Sequence, residues 1–159
     1  MRPIATVPLL AVGWLRVVQG PAGSSILAGL AILPFLAPAA LGITSLVFGL
    51  VHLQNVGATS ASIAVVVIAG VFLGVVLVVT RSLWAAFAAH LAWNWALAGL
   101  LHSAVSGVPF ATPDYRVIDA GPDWATGGPW GPEGGVPAAL ALLSVTIYLY
   151  LRRARREES

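Results

Sequence analysis

The chain of 159 residues contains no cysteine, and charged residues make up only 9% of it. The absence of cysteine excludes disulfides, thiolate metal sites and thiol nucleophiles. Acidic residues are scarce as well, because none of the six precedes Asp114. Soluble domains carry about 25% charged residues. The low charge, the 58% share of hydrophobic residues and the mean hydropathy of +0.91 therefore predict an all-α integral membrane protein.

Long apolar runs predict a polytopic helical bundle of about four to five transmembrane helices, since one span needs about 20 apolar residues. Residues 62–80, 82–102 and 136–151 are three such runs. A fourth, residues 25–53, contains Pro34 and Pro38, where we expect the helix to break or kink. We interpret residues 1–24 as an N-terminal remnant or interfacial helix. Residues 25–151 are then the membrane domain with a loop at 103–135, and residues 152–159 are a basic tail.

The arginines predict the orientation, because basic residues are concentrated on the cytoplasmic side of membrane proteins. All eight basic residues are arginine, and four of them lie in the tail at 152–159. We therefore expect a multi-pass protein of the plasma membrane with a cytoplasmic C-terminus, Arg81 on the same side and the loop at 103–135 outside. The pI of about 9.7 depends largely on this tail. It indicates contact with membrane lipid and does not indicate a nucleic-acid partner.

Two histidines lie within apolar runs, each in an i, i+4 pair: Phe48 with His52 and His90 with Asn94. On a helix this spacing places both members of a pair on one face. Polar groups at membrane depth face a protein interior or a wet cavity, and they indicate function by default. We therefore expect His52, His90 and Asn94 to face a common interior.

Three uses of these residues remain open from the residue types alone. The two histidines and the asparagine could bind a metal or a water molecule and polarise a carbonyl group. The two histidines could ligate a haem axially. They could also form interhelical hydrogen bonds that only stabilise the bundle. A hydrolase would need a carboxylate as well, usually as the general base.

The two motifs resemble those of the CPBP intramembrane proteases, the CAAX protease-like or Abi family, which are bacterial relatives of a prenyl-protein endopeptidase. The surrounding SLVFGLVHLQNVGAT, TRSLWAAFAAHLAWNW and GPDWATGGPWGPEGG are also similar to members. The resemblance covers roughly residues 38–151. It implies hydrolysis of peptide bonds in membrane-associated proteins or peptides within a membrane-embedded cavity.

The resemblance also implies catalytic roles: His52 assists the attacking water, His90 lines the same cavity, and Asn94 stabilises the oxyanion. It leaves open a zinc ion held by His52 and His90, or glutamate-type catalysis without a metal. Members carry a Glu-Glu-x-x-x-Arg motif before the first histidine, and this sequence has no acid there. We therefore expect the chain to be inactive as written, either N-terminally truncated, which we favour, or a degenerate pseudoenzyme. The alternatives are a non-catalytic membrane protein of the bacteriocin-immunity or scaffold type and a bis-histidine haem subunit.

Overall fold

A computed structural model of the chain describes residues 24–110, 115 and 117–158. The described residues are predominantly helical. They contain no β-strand, only an isolated bridge between Val105 and Val108. The helices are α1 (Ser24–Val51), α2 (Ser60–Thr80), α3 (Leu83–Trp95), α4 (Asp123–Thr126) and α5 (Val136–Glu157), with short 3-10 turns at His52–Gln54, Gly128–Trp130 and Pro132–Gly134. This confirms the all-α class for the part of the chain that is described.

The four long apolar runs coincide with α1, α2, α3 and α5. Helix α1 is continuous through Pro34 and Pro38, so the prolines do not end it. The chain nevertheless divides at this point into two compact units, one ending at Pro38 and one comprising Ala39–Ser159. Most of the segment interpreted as a remnant or interfacial helix, residues 1–24, lies outside the described residues. The site described below lies entirely in the second unit.

Helices α2 and α3 form a tight helical hairpin whose ends are set by local capping. At the start of α2, the Thr59 hydroxyl accepts a hydrogen bond from the Ser62 amide at 3.0 Å, and the Ser62 hydroxyl accepts one from the Thr59 amide at 2.8 Å. This reciprocal pair is a capping box. Arg81 ends α2 in the left-handed conformation, with φ 54°, and the Ser82 side chain caps α3. The chain therefore reverses within two residues.

Glycines allow α1 and α2 to approach closely. A Cβ atom at Gly70 would lie 2.9 Å from the Cα of Ser45, and one at Gly74 would collide with the side chain of Leu41. Small residues at this four-residue spacing are typical of tightly packed membrane helices. The Gly70-x-x-x-Gly74 pattern thus serves helix packing. It also holds the C-terminal part of α1, which carries Phe48 and leads directly into His52, against α2.

Two long-range hydrogen bonds define the opposite ends of the second unit. At one end, the Arg153 guanidinium donates to the Val78 carbonyl at 2.9 Å, which places the arginine-rich end of α5 beside the α2–α3 turn. At the other end, the side-chain amide of Asn55 donates to the backbone carbonyl of Ser106 at 2.8 Å. Arg81 and the arginine-rich end of α5 therefore lie at one end of the second unit, and Ser106 of the loop lies at the other.

Two of the described helices, Ser60–Thr80 and Val136–Glu157, are long and apolar enough to cross a membrane. Helix α3 has 13 residues, about 20 Å at 1.5 Å per residue, and a π-helical turn at Ala96–Leu100 extends it. Large apolar side chains on these helices remain exposed, among them Leu77, Phe87 and Leu140.

Tryptophan 130 anchors the loop at 103–135 to the helices. Its side chain is 0% exposed and packs in a cluster with Ile63 and Val66 of α2, against which Phe48 of α1 is also packed. Its carbonyl accepts a hydrogen bond from the Gly107 amide at 2.9 Å. The described part of the loop is therefore an ordered cap on the helices.

Candidate functional site

His52 lies where α1 gives way to a 3-10 turn, and its side chain is half-buried. Its Nδ1 atom lies 2.6 Å from the carbonyl oxygen of Phe48. A carbonyl only accepts hydrogen bonds, so Nδ1 carries the proton. In the neutral ring the Nε2 atom then has a free lone pair. The i, i+4 spacing of the FxxxH motif thus fixes the tautomer of His52 through the backbone.

The ring of Phe48 contacts both histidines. Its centroid lies 4.9 Å from that of His52 and 5.7 Å from that of His90, and the second contact is edge-on. Because His90 is on α3 and Phe48 is on α1, this contact joins the two motifs across the bundle. The phenylalanine therefore restricts both imidazoles.

His52, His90 and Asn94 line one cavity, as the sequence predicts. Its volume is about 40 Å³, which is enough for a small number of water molecules. The other walls come from α2, α3, α5 and the loop: Val65, Val66, Ala69, Phe72, Leu73, Ala89, Trp93, Ser106, Glu133 and Leu142. Most of these side chains are apolar, so the few polar groups of the cavity are surrounded by apolar surface.

A carboxylate also lines this cavity, although sequence analysis did not select it. Glu133 is 8% exposed. Its Oε1 atom accepts hydrogen bonds from the amide and the hydroxyl of Ser106, each at 2.5 Å, and its Oε2 atom accepts one from Trp93 Nε1 at 2.9 Å. Three donors satisfy a buried carboxylate that would otherwise be costly to bury. The sequence has no acid near the histidine motifs, but the folded chain places one, Glu133, in the wall of their cavity.

Glycine conformation allows the loop to bring Glu133 inward. Gly131 has φ 98°, a region that side-chain-bearing residues rarely adopt, and its Cα faces the carbonyl of Ala104 so closely that a Cβ atom could not fit. The 3-10 turn at Pro132–Gly134 follows immediately, and α5 begins at Val136. The glutamate is thus held between a turn packed on the loop and the first turn of a long helix.

The residues present do not fit a zinc ion or a haem. Among the residues that the structure describes, no three His, Cys, Asp or Glu side chains are grouped closely enough to hold a metal ion. A catalytic zinc normally takes three protein ligands. A cavity of about 40 Å³, in which Phe48 contacts both imidazoles, has no room for a porphyrin between the two rings. Neither group therefore takes part in the reaction proposed below.

A second cavity opens beside the first and shares three of its residues, Phe48, Leu73 and His90. Its volume is about 480 Å³. It lies between α1, α2 and α3, and its remaining lining is mostly apolar: Thr44, Ser45, Gly70, Gly74, Leu77, Leu83, Trp84, Ala86 and Phe87. An apolar chain in this groove would reach His90.

Glu133 escaped selection because it is far in sequence from the histidines and lies in a loop with three other acids. One signal could have distinguished it. It stands in the segment GPEGG, between Trp130 and the apolar run of α5. An acid held among glycines and proline, between two buried anchors, is constrained in a way that an acid on a solvated loop is not. Asp119 and Asp123, in contrast, are exposed.

Among protein families, residues 22–96 of the chain match the model described as type II CAAX prenyl endopeptidase, Rce1-like. The segment includes His52, His90 and Asn94 and excludes Glu133. The match confirms the resemblance to the CAAX protease-like family. No curated protein and no solved structure matches the chain.

Proposed function

We propose that this chain, which carries a segment of the Rce1-like family of CAAX prenyl endopeptidases, hydrolyses peptide bonds of membrane-associated proteins or peptides within a membrane-embedded cavity. The observation that carries the proposal is the shared cavity of His52, His90 and Asn94. These are the polar residues of the two motifs, and they come from different helices.

The roles follow from what each side chain can do. The Nε2 lone pair of His52 can accept a hydrogen bond from a water molecule, because its Nδ1 proton is held by Phe48. The amide group of Asn94 can donate to the oxygen of a scissile carbonyl as negative charge develops there. His90 lies between this cavity and the apolar groove, where it can orient a substrate that occupies both.

The expected location is a multi-pass arrangement in the plasma membrane with the C-terminus in the cytoplasm. It is supported by two apolar helices long enough to span and by the separation of the basic end from the end that carries the loop. On this arrangement the apolar groove at α1–α3 faces lipid, so that a membrane-anchored substrate can enter from the bilayer.

The sequence alone predicts an inactive chain, because no acid accompanies the histidine motifs. That expectation concerned residues before Asp114, whereas Glu133, which follows the histidine motifs in the sequence, also lines the cavity. One observation favours a non-catalytic membrane protein of the immunity or scaffold type as the second candidate. Both carboxylate oxygens of Glu133 already accept hydrogen bonds within the protein.

Peptide cleavage by the purified chain in detergent micelles tests the proposal. The probes are an internally quenched peptide ending in an S-farnesylated CaaX sequence and an internally quenched transmembrane-helix peptide. We expect at least one to be cleaved, and His52→Ala or His90→Ala to lower the rate about 100-fold or more. His102→Asn is the matched control, because His102 lies outside the cavity. Its φ of 49° is in the left-handed region, which asparagine tolerates. Cleavage that survives both cavity substitutions would refute the proposal.

A further inference from the structure

Resting on the proposed function, we infer that Glu133 is the general base of this site, the carboxylate that takes the proton from the attacking water. Of the six acidic residues in the sequence, none precedes Asp114, and Glu133 is the only buried acid among the described residues. It is also the only acid among the residues that line the histidine cavity. It lies outside the segment matched by the family model, so the match assigns it no role.

The hydrogen bonds of Glu133 leave one acceptor position unused. A carboxylate has about four lone-pair positions. Ser106 occupies two of them on Oε1, through its amide and its hydroxyl, and Trp93 occupies one on Oε2. The fourth position is therefore on Oε2. Because Glu133 and Trp93 both line the cavity, a water molecule there can donate to this oxygen.

The three donors also hold the carboxylate in place. The backbone amide of Ser106 and the indole of Trp93 belong to the loop and to α3, which are held by other contacts. The carboxylate is thus held at a fixed position before substrate binds, which lowers the reorganisation needed during reaction.

The hydrolysis that we propose is balanced without any further reactant. A water oxygen forms a bond to the scissile carbonyl carbon as its proton passes to Glu133 Oε2, and the π electrons of the carbonyl move onto its oxygen. The tetrahedral intermediate then collapses: the C=O bond re-forms, the C–N bond breaks, and the leaving nitrogen takes the proton from Glu133. The products are a carboxylic acid and an amine, and Glu133 is again a carboxylate.

The roles of the neighbouring residues are compatible with this step. The free Nε2 of His52 accepts the second hydrogen bond from the water, which orients its lone pair, and Asn94 donates to the oxyanion. The volume of about 40 Å³ holds the water and the reacting carbonyl but little more. The rest of the substrate occupies the apolar groove that shares Phe48, Leu73 and His90 with the cavity.

Glu133→Ala in the full chain, assayed with the same two probes, tests the assignment. We expect the cleavage rate to fall about 100-fold or more, and added sodium formate to restore part of it, because formate fits the vacated space and supplies a carboxylate. Formate should not restore His52→Ala. Asp119→Asn is the matched control for charge, since it removes one negative charge from the same loop and keeps the acceptor for the Gly121 amide. It should cleave at the wild-type rate.

Other outcomes would overturn the assignment. If Glu133→Ala and Glu133→Gln cleave at the wild-type rate while His52→Ala does not, the endopeptidase site stands and Glu133 is not its base. If Glu133→Ala loses activity together with thermal stability and formate restores none, Glu133 only fixes the loop. Ser106→Ala should then reproduce the loss of stability, because it removes a hydrogen bond to the same carboxylate. If the wild-type chain cleaves neither probe, both the proposed function and the role of Glu133 are refuted.

Discussion

Replacing Trp130 with alanine should be among the most destabilising single substitutions in the second unit. Among the described residues its side chain is the largest that is fully buried, and it packs on Ile63 and Val66 of α2. Truncating a buried tryptophan to alanine costs about 3–5 kcal/mol, from lost burial and from the cavity left behind. The substitution should also lower peptide cleavage, because Glu133 is three residues further along the anchored loop. We expect the substitution to act on the site by displacing the loop segment that holds Glu133.

The measurement is the free energy of unfolding in detergent micelles. Denaturation is followed by far-ultraviolet circular dichroism, which reports helix content and not tryptophan fluorescence. Trp130→Phe is the informative comparison, because among the described residues the indole N–H of Trp130 has no hydrogen-bond partner. Phenylalanine keeps an aromatic ring and removes a buried unpaired donor, which offsets part of the lost contact. We expect the phenylalanine variant to be clearly more stable than the alanine variant. A loss below about 1 kcal/mol for alanine, or equal losses for both variants, would contradict this account of the loop.

Two further predictions concern the helices and their orientation. Gly70→Leu should destabilise the protein by about 1–3 kcal/mol, because the new side chain would collide with Ser45 of α1; Gly42→Leu, at an exposed position with open space around it, should be near neutral in the same denaturation assay. A fusion of green fluorescent protein to the C-terminus should fluoresce in cells, and an alkaline phosphatase fusion there should be inactive, because the basic tail is predicted to be cytoplasmic; the reverse pattern would refute the orientation.

The positions of the helices could be predicted from the sequence, and the length of one of them could not. Apolar runs coincide with α1, α2, α3 and α5, because continuous hydrophobicity and the absence of charge are local properties. Two prolines suggested a break or a kink in α1, and the helix continues through Pro34 and Pro38, which excludes the break. Proline removes one hydrogen bond and crowds the preceding turn. Whether a helix then ends or continues depends on packing, which a local pattern does not contain.

The candidate site was predicted in part. The i, i+4 spacing put Phe48 beside His52 and His90 beside Asn94, and helical periodicity was sufficient for this. That both motifs line one cavity was an expectation from their polarity at membrane depth, and the contact of Phe48 with His90 shows how the two helices meet. The catalytic roles of His52, His90 and Asn94 remain proposals that the cleavage assay decides.

The sequence by itself determined the local features of the protein. These are the apolar helices, the basic C-terminal end and two polar motifs at helical spacing. These features depend on neighbours within a few residues. Only the tertiary structure decided that Glu133 lines the same cavity as the histidines, because the loop must fold back over the helices, anchored by Trp130 and turned at Gly131, to bring it there. Along the sequence, most of the second unit separates Glu133 from His52. The position of the carboxylate depends on hydrogen-bond donors from Ser106 and Trp93, which no local sequence pattern connects to Glu133.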